Sequence, residues 1–444
     1  MITAPICEFV RRYRYSGALR MHMPGHKGTA LLGPEPLDLT EIEGADVLYH
    51  AEGIIRESEA NAAALFDTKK TVYSAEGSSL CIRAMLYLAL LHARANHKKP
   101  VIAAGRNAHK VFMTAAALLD LDIRWIYGTE SVISCAITPA QLEDVIVSEN
   151  PAAVYITSPD YLGNIADIKS LSTVCKKHGV LLLVDNAHGA YLHFLPEPMH
   201  PMQLGADICC DSAHKTLPVL TGGAYLHIAH STPDMFAQRA ESAMALFAST
   251  SPSYLILQSL DAMNPLLATS FPAQLKACAE RLDTLKAKLR AHGYALCGEE
   301  RTKLCLLPKS FGYTGTALAE ILTHHNIYCE FSDADHLVMM FTPETTPADF
   351  ACLERALLSV LPAPAILSKP PVPPHAERVL SPREALFSPS ETLPLSECEN
   401  RILADANVSC PPAVPLAVCG ERLTPEVISA MEYYGTEHCT VVVE

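Results

Sequence analysis

Short apolar runs alternate with helical patterns between residues 70 and 230. Several of these runs are apolar at consecutive positions, as expected for strands of a sheet that is covered on both faces. They predict six strands, at 71–74, 101–105, 153–158, 180–185, 206–211 and 223–228. Helix-length segments such as 79–94 and 165–178 lie between them. This alternation predicts an α/β fold with a mostly parallel sheet.

A second pattern begins after residue 265. In the segment 273–292 four leucines fall on one helical face, and Gly293 follows the last turn. We expect this helix to open a smaller α+β domain, which continues through a strand at 336–341 and a helix at 348–360.

The composition of the chain changes at 362–374, where 13 residues include six prolines. This composition is typical of a semi-rigid extended linker. Beyond it the last helix is predicted to have Thr424 as N-cap, Pro425 in its first turn and Gly435 at its end. The chain is thus expected to comprise an N-terminal arm 1–30, a large domain 31–265, a small domain 266–361, the linker 362–374 and a C-terminal domain 375–444.

Composition narrows the class of protein. A formal net charge of −14 argues against nucleic acid as a partner. The 15 cysteines are scattered without a CxxC pair, and the first residues lack the apolar core of a signal peptide, so we expect reduced thiols and a cytoplasmic protein. No apolar run reaches the roughly 18–20 residues of a membrane helix, so no membrane partner is expected.

Three local features could carry chemistry, and the first is "EGSS" at 76–79, where a strand leads directly into an apolar helix. Free backbone N–H groups at a helix start, with two hydroxyls beside them, suit an anion such as phosphate. The alternative is that Ser78 or Ser79 simply caps the helix.

The other two features follow predicted buried strands. Asp185 ends the strand 180–185, where open α/β sheets place ligand-binding groups, although it could instead cap the next turn. Lys215 follows the strand 206–211. A lysine there can bond to a carbonyl cofactor or substrate, or it can be structural with its charged end in solvent.

Together the three features match the needs of pyridoxal 5′-phosphate (PLP). A helix start anchors its phosphate, a carboxylate keeps its ring nitrogen protonated, and a lysine holds its aldehyde as an imine. The protonated ring withdraws electrons from the Cα of an amino acid, which makes a carbanion accessible at that carbon.

Ordered motifs along nearly the whole chain resemble the Orn/Lys/Arg decarboxylase family, in a short form without an additional N-terminal receiver-like domain. The matching motifs are "MHMPGHKG" (21–28), "DLTEIEGADVL" (38–48), "EGSS" (76–79), "GRNAHK" (105–110), "TSPDYLGNIADI" (157–168), "VDNAHGAY" (184–191), "SAHKTLPVLTGGA" (212–224) and "CPPAVPLAVCGERLT" (410–424). The resemblance implies the aspartate aminotransferase-like fold of fold-type-I PLP enzymes, and it implies a homodimer or a higher even-numbered homo-oligomer.

The resemblance also implies roles for individual residues. Lys215 is expected to form the Schiff base, Asp185 to pair with the pyridine nitrogen, and Ala187 to pack under the ring. His109 is expected to stack on the other ring face and His214 to lie beside the imine, unless either is merely packed in the sheet. The predicted phosphate-binding residues are Gly77, Ser78, Ser79 and Ser212.

The N-terminal motif contains His22 and His26, whose spacing of four would suit a metal pair on a helix. Pro24 and Gly25 rule out a regular helix there, so no metal is predicted. The resemblance places this segment near the mouth of the active site. Candidate contacts for a cationic amino acid are His26, Glu41, Glu43, Asp46 and His188. The alternatives are that at least two of the three carboxylates are solvated at the surface and that His188 is a histidine satisfied within a turn.

Three positions depart from the resembling family. Asn186 stands where Glu is usual, Asp160 where Thr is usual, and Gly222 where Gln is usual.

The leading hypothesis is α-decarboxylation of lysine, ornithine or arginine, which yields CO2 and a di- or polyamine precursor. Two alternatives are a PLP enzyme such as an aminotransferase and a non-catalytic PLP-binding regulator. The strand 336–341 lacks the carboxylate-gripping arginine of many aminotransferases, which weighs against the first alternative.

Overall fold

A computed structural model describes residues 2–128, 136–372, 375–410 and 414–443. The chain divides into two compact units, and each is built from two separate segments. The first unit comprises 1–98 and 168–274, and the second comprises 99–167 and 275–444. The predicted domain boundaries lie at other positions and stay a prediction.

The strands follow the apolar runs of the sequence. Within the described ranges there are fifteen: β1 (Lys70–Ser74), β2 (Val101–Gly105), β3 (Asp122–Ile126), β4 (Ala153–Thr157), β5 (Leu181–Asp185), β6 (Ile208–Asp211), β7 (Ala224–Ile228), β8 (Ala295–Cys297), β9 (Lys303–Leu307), β10 (Phe331–Ser332), β11 (Leu337–Met340), β12 (Ser390–Pro394), β13 (Asn407–Cys410), β14 (Val414–Val418) and β15 (His438–Val442).

The helices occupy most of the segments between the strands. The same ranges contain fifteen α-helices: α1 (Pro5–Tyr15), α2 (Ile54–Leu65), α3 (Gly77–Ala95), α4 (Lys110–Leu119), α5 (Pro139–Glu149), α6 (Ile168–His178), α7 (Pro201–Leu204), α8 (Ala213–Thr216), α9 (Asp234–Ala245), α10 (Tyr254–Leu267), α11 (Phe271–His292), α12 (Gly315–Thr323), α13 (Pro347–Ser359), α14 (Pro382–Phe387) and α15 (Pro425–Tyr433). Short 3₁₀ helices cover Glu35–Leu37, Ala190–Phe194, Pro308–Phe311 and Leu395–Glu397.

In the first unit, β1, β7, β6 and β5 lie side by side in that order. β5 and β6 are parallel, whereas β7 runs antiparallel to both β6 and β1. Asp185 pairs in register with Cys210, so the carboxyl ends of β5 and β6 meet at one edge. Ligand-binding groups of α/β sheets gather at such an edge.

The second unit contains the parallel strands β4, β2 and β3, in that order, and a separate antiparallel sheet β10-β11-β9-β8. Helices α11 and α13 pack their apolar faces on this second sheet through a core that includes Leu282, Leu304, Leu337 and Leu357. Two short antiparallel ladders, β12/β15 and β13/β14, complete the unit.

All six strands predicted between 70 and 230 are confirmed, as are the helices near 79, 165, 273 and 348. The helix α15 has Thr424 as its N-cap, as predicted, with its side chain accepting from Val427 N at 3.4 Å. Strand β3 was not predicted, because Asp122 and Arg124 interrupt its apolar run. Residues 362–372 of the predicted linker contain neither helix nor strand, and 373–374 lie outside the described residues.

The cysteines of the described residues form no disulfide, and most of them are buried. Among the helices that the structure describes, none combines the length and apolar character needed to cross a bilayer.

Candidate active site

The candidate phosphate site lies where β1 leads into α3. Gly77 has a φ of +73°, in the left-handed region that favours glycine. Glu76 occupies the N-cap position, but its side chain makes no capping bond and instead accepts from Ser249 N at 2.7 Å. Neither Ser78 nor Ser79 is therefore the cap, and no described side chain caps this 19-residue helix. The backbone N–H groups of its first turn and the positive end of the helix dipole favour an anion, which fits a phosphate.

A hydrogen bond connects this helix start to the lysine segment. The Ser212 hydroxyl lies 2.7 Å from the Ser78 hydroxyl and donates to it. Ser212 follows β6 directly and precedes α8, which carries Lys215. The structure thus brings together two of the predicted phosphate-binding serines, although 134 residues separate them in the sequence.

Lys215 contacts a histidine that follows β5. Its Nζ donates to Nε2 of His188 at 3.1 Å. His188 is buried, with 6% of its surface exposed, whereas Lys215 is half-buried. A neutral imidazole that accepts from a lysine can also take its proton, which would leave the amine nucleophilic. His188, predicted as a substrate contact, therefore lies against the predicted covalent lysine.

Asp185 ends β5 with only 2% of its surface exposed. Its Oδ1 accepts from Ala187 N at 3.1 Å and from the Cys210 thiol at 3.7 Å. The carboxylate thus caps the turn after β5, as the alternative interpretation held. It also stands at the strand edge where a cationic ring nitrogen could be bound, so the two interpretations are compatible.

His214 is fixed by the turn that follows Lys215. Its Nδ1 lies 3.0 Å from the Gly223 carbonyl, which can only accept, so Nδ1 carries the proton. Burial lowers the pKa of His214, which favours the neutral ring. The atom at which this side chain can gain a proton is therefore Nε2.

The backbone conformation explains why glycine stands at 222, where Gln is usual in the family. This residue has a φ of +102°, and a Cβ there would lie 2.9 Å from the Ala75 carbonyl oxygen. Its own carbonyl accepts from Gly77 N at 2.7 Å. A side chain at 222 would therefore strain the contact that ties the lysine turn to the phosphate turn.

His109 belongs to the second unit, where it is the N-cap of α4 and its Nδ1 accepts from Val111 N at 3.3 Å. Its side chain is exposed rather than packed in a sheet. Stacking on a cofactor ring stays a prediction.

The candidate substrate contacts of the N-terminal segment differ in their surroundings. His26 lies 3.3 Å from Asp38 through Nε2, and its Nδ1 accepts from Gly28 N at 3.0 Å. Glu41 and Glu43 are exposed.

Asp46 is occupied by backbone groups at the start of α2. Its two oxygens accept from the amides of Val47, Glu52, Gly53 and Ile55 at 2.8–3.0 Å. Burial opposes ionisation, but these hydrogen bonds outweigh it and lower the pKa of Asp46. The geometry is that of a structural carboxylate, and contact with a substrate stays a prediction.

The departure at Asp160 also has a local role, within the second unit. This carboxylate is buried and accepts from the backbone and side-chain nitrogens of Asn164 at 2.9 and 2.8 Å. Its backbone carbonyl accepts from the buried Lys303 at 3.2 Å. Asp160 therefore stabilises the loop that follows β4.

Sequence reasoning missed a fully buried cluster beside the site, formed by Asp211, His200 and His227 with Asn186. One signal was present, because Asp211 ends a buried strand just as Asp185 does. No periodicity links the two histidines to it.

The fold defines a class of protein, because the chain has the fold-type-I architecture of the solved lysine decarboxylases. The sequence model of the family described as Orn/Lys/Arg decarboxylase, major domain, matches residues 4–296. The chain belongs to this family, which makes it a carboxy-lyase.

Curated relatives and solved structures agree with this membership. The arginine decarboxylase of Bacillus subtilis is 30% identical, over 96% of this chain and 92% of that protein. The arginine decarboxylase of Halalkalibacterium halodurans is 28% identical, over 95% and 91%. The crystal structure of a Francisella novicida lysine decarboxylase is similar in fold, with a TM-score of 0.80 and 16% identity, covering 100% of this chain and 81% of that one.

Proposed function

We propose that this protein removes the α-carboxylate of a basic amino acid as CO2, with PLP held on Lys215, and releases the corresponding amine. The observation that carries the proposal is the start of α3, which has no side-chain cap at Glu76 and where Ser78 is hydrogen-bonded to Ser212, three residues before Lys215. Asp185 ends the strand parallel to the one that leads into this segment.

The residues of the first unit divide the work of binding. Ser78, Ser79 and Ser212 would hold the phosphate, since they supply amide and hydroxyl donors at a helix start. Gly77 would shape the turn instead, because its N–H already donates to the Gly222 carbonyl. Asp185 would hold the protonated ring nitrogen, and its burial strengthens that charge pair. When bound, PLP supplies a ring that accepts the electron pair of the broken bond between Cα and the carboxylate.

Two histidines would manage protons around Lys215. Nε2 of His188 would draw a proton from the lysine ammonium, because the two atoms are 3.1 Å apart. His214 would exchange a proton at Nε2, because its Nδ1–H is engaged by the Gly223 carbonyl. Each histidine would thus exchange its proton at one defined atom, Nε2.

The relatives named arginine decarboxylase make arginine the first substrate to test, with lysine next. An aminotransferase is disfavoured, because β11 carries Met339 and Met340 and no arginine that could grip an α-carboxylate. A site that does not bind the α-carboxylate tightly favours its loss as CO2.

The test is reconstitution of the wild type and of Lys215→Ala with PLP. The wild type should gain a visible absorption band, and borohydride should attach the cofactor covalently to the peptide that contains Lys215. The variant should lose the band and, since the covalent anchor is gone, at least about 10³-fold in CO2 release from arginine, lysine or ornithine. Lys70→Ala is the matched control, because this lysine of the same unit forms an ion pair with Glu241.

Three outcomes would contradict the proposal. A visible band in Lys215→Ala would rule out this lysine as the anchor. Formation of a keto acid without CO2 would indicate transamination. Cofactor binding without turnover of any basic amino acid would favour a regulatory homologue.

We also propose a homodimer, by resemblance to fold-type-I enzymes, which build each active site across a dimer interface. Sedimentation should give twice the mass of the chain, and a fully active monomer would contradict it.

A further inference from the structure

A hydrogen-bonded network lies directly behind the turn that carries Asp185. At its centre is Asp211, the last residue of β6, whose side chain is fully buried. Oδ2 of Asp211 accepts from Nε2 of His200 at 2.9 Å and from Nε2 of His227 at 3.2 Å. Oδ1 accepts from the side-chain amide of Asn186 at 2.7 Å. All four residues belong to the first unit.

The positions of the protons follow from the surrounding donors. Met202 N donates to Nδ1 of His200 at 3.3 Å, so the proton of that ring is on Nε2, which faces Asp211. Nδ1 of His227 lies 2.9 Å from the Thr71 hydroxyl, which can donate to it. Burial opposes ionisation of Asp211, but the two histidines outweigh it and hold its pKa well below the usual range. The network therefore contains an ionised carboxylate held by two imidazole N–H groups and an amide N–H group.

A metal site does not explain the same residues. Ligand atoms of His200, Cys209 and Asp211 lie within 4.8 Å of one another. Coordination through Nε2 of His200 would move the ring proton to Nδ1, where it would face the Met202 N–H donor. Two donors would then oppose each other in a dry interior, which is costly.

Asn186 connects Asp211 to the turn that carries Asp185. Its backbone N–H donates to the Cys210 carbonyl at 2.9 Å, and its carbonyl accepts from Gly189 N at 2.7 Å. Its amide oxygen packs against Gly189, where a Cβ would lie only 2.0 Å away. The neighbouring residue on one side is Asp185, and on the other is Ala187, which donates to Oδ1 of Asp185.

We propose that Asp211 is a positioning residue for Asp185, which it acts on by fixing Asn186 and with it the turn 185–187. This inference rests on the proposed function. It also explains the departure at 186, since a carboxylate at 211 requires a donor there. A glutamate at 186 would bring two carboxylates together in a dry interior, which is unfavourable.

The test exchanges donor and acceptor. Asn186→Asp should raise the dissociation constant for PLP by about tenfold or more, because it opposes two buried carboxylates. The swap, the double variant Asn186→Asp with Asp211→Asn, should recover at least half of the lost binding free energy. The amide supplied by Asp211→Asn accepts from both histidines through its oxygen and donates through its nitrogen to the carboxylate supplied by Asn186→Asp. Recovery is partial, because the second oxygen at 186 has no donor among the residues that the structure describes.

A second ligand separates positioning of Asp185 from general support of the fold. The probe is the carbocyclic analogue of PLP, in which CH replaces the ring nitrogen and cannot bond to Asp185. Asn186→Asp should weaken binding of this analogue by less than about threefold while it weakens PLP binding about tenfold. Binding is followed by absorbance and fluorescence titration, and the stability of each cofactor-free variant is measured by urea unfolding.

The control is Asp207→Asn. Asp207 directly precedes β6, the strand that ends in Asp211, and its carboxylate accepts from Leu182 N at 2.8 Å outside the network. It should bind PLP as the wild type does. Equal weakening of PLP and analogue, or no recovery in the swap, would overturn the inference. If Asn186→Asp does not fold, the swap alone decides, because it should fold and bind PLP. A wild type that binds no PLP would overturn the proposed function instead.

Discussion

The two units each bury a carboxylate, but they neutralise it in different ways. Asp211 of the first unit accepts from two imidazoles and an amide, so the negative charge remains within the network. Glu421 of the second unit is equally buried but faces the guanidinium of Arg106, with both oxygens bonded at 2.8 and 2.7 Å. The comparison teaches that a buried carboxylate can be stabilised either by a cation that pairs with both oxygens or by several separate N–H donors.

The surroundings of the ion pair support that distinction. Glu421 also accepts from Val418 N at 2.9 Å, which ties it to the end of β14. The guanidinium of Arg106 lies 4.9 Å from the centre of the Trp125 ring and 5.7 Å from that of Tyr127. These contacts all lie within the second unit and hold Arg106, the residue that follows β2.

Breaking the ion pair should give the largest effect. Arg106→Met should lower the free energy of unfolding by about 3–5 kcal/mol, because it leaves the charge of Glu421 buried and unneutralised. Adding Glu421→Leu should recover much of that loss. Urea unfolding measures both. Arg422→Met is the control, since its ion pair with Glu377 is exposed and should cost less than about 1 kcal/mol. Equal losses for Arg106 and Arg422 would contradict the distinction.

A third buried carboxylate, Glu59 of the first unit, sharpens the comparison. It accepts from Tyr73 N at 2.9 Å, and burial raises its pKa to about 8. The native state therefore keeps a proton that the unfolded chain releases above about pH 4.5. The stability that Glu59 contributes is present below that pH and is lost as the pH rises through 8.

Glu59→Gln should remove this dependence, because the amide stays neutral and keeps the bond from Tyr73. Relative to the variant, the wild type should lose about 1.4 kcal/mol of unfolding free energy per pH unit between about pH 4.5 and 8. Unfolding curves of both proteins at pH 5, 6, 7 and 8 measure the difference. A difference that does not change with pH would mean that Glu59 is ionised in the folded protein.

The smallest of these effects should come from Asp46, which is half-buried. The hydrogen bonds described above for its carboxylate all come from backbone amides. Asp46→Ala should lower the free energy of unfolding by about 1–2 kcal/mol, as loss of a helix cap does. Thermal or urea unfolding measures it. A loss below about 0.5 kcal/mol would show that water replaces the carboxylate at these amides.

The sequence was most informative where structure and chemistry are local. A buried strand that ends in Asp185, a Gly-Ser-Ser turn before α3 and a lysine after β6 are each visible within a few residues. Strand and helix periods place such residues at one sheet edge before any coordinates are known. The departure at Gly222, by contrast, became interpretable only in the structure, where its positive φ and the nearby Ala75 carbonyl favour glycine.

The sequence by itself determined the fold class and the family, and it singled out Lys215 as the candidate covalent lysine, because these depend on short motifs that occur in a fixed order along the chain. Only the tertiary structure decided that Glu76 leaves α3 uncapped, that His188 contacts Lys215 and that Asp211 gathers His200, His227 and Asn186. The partners of Asp211 lie 11, 16 and 25 residues away along the chain. No local period links such distances, and the choice of partner depends on which side chains the packed sheet shields from water.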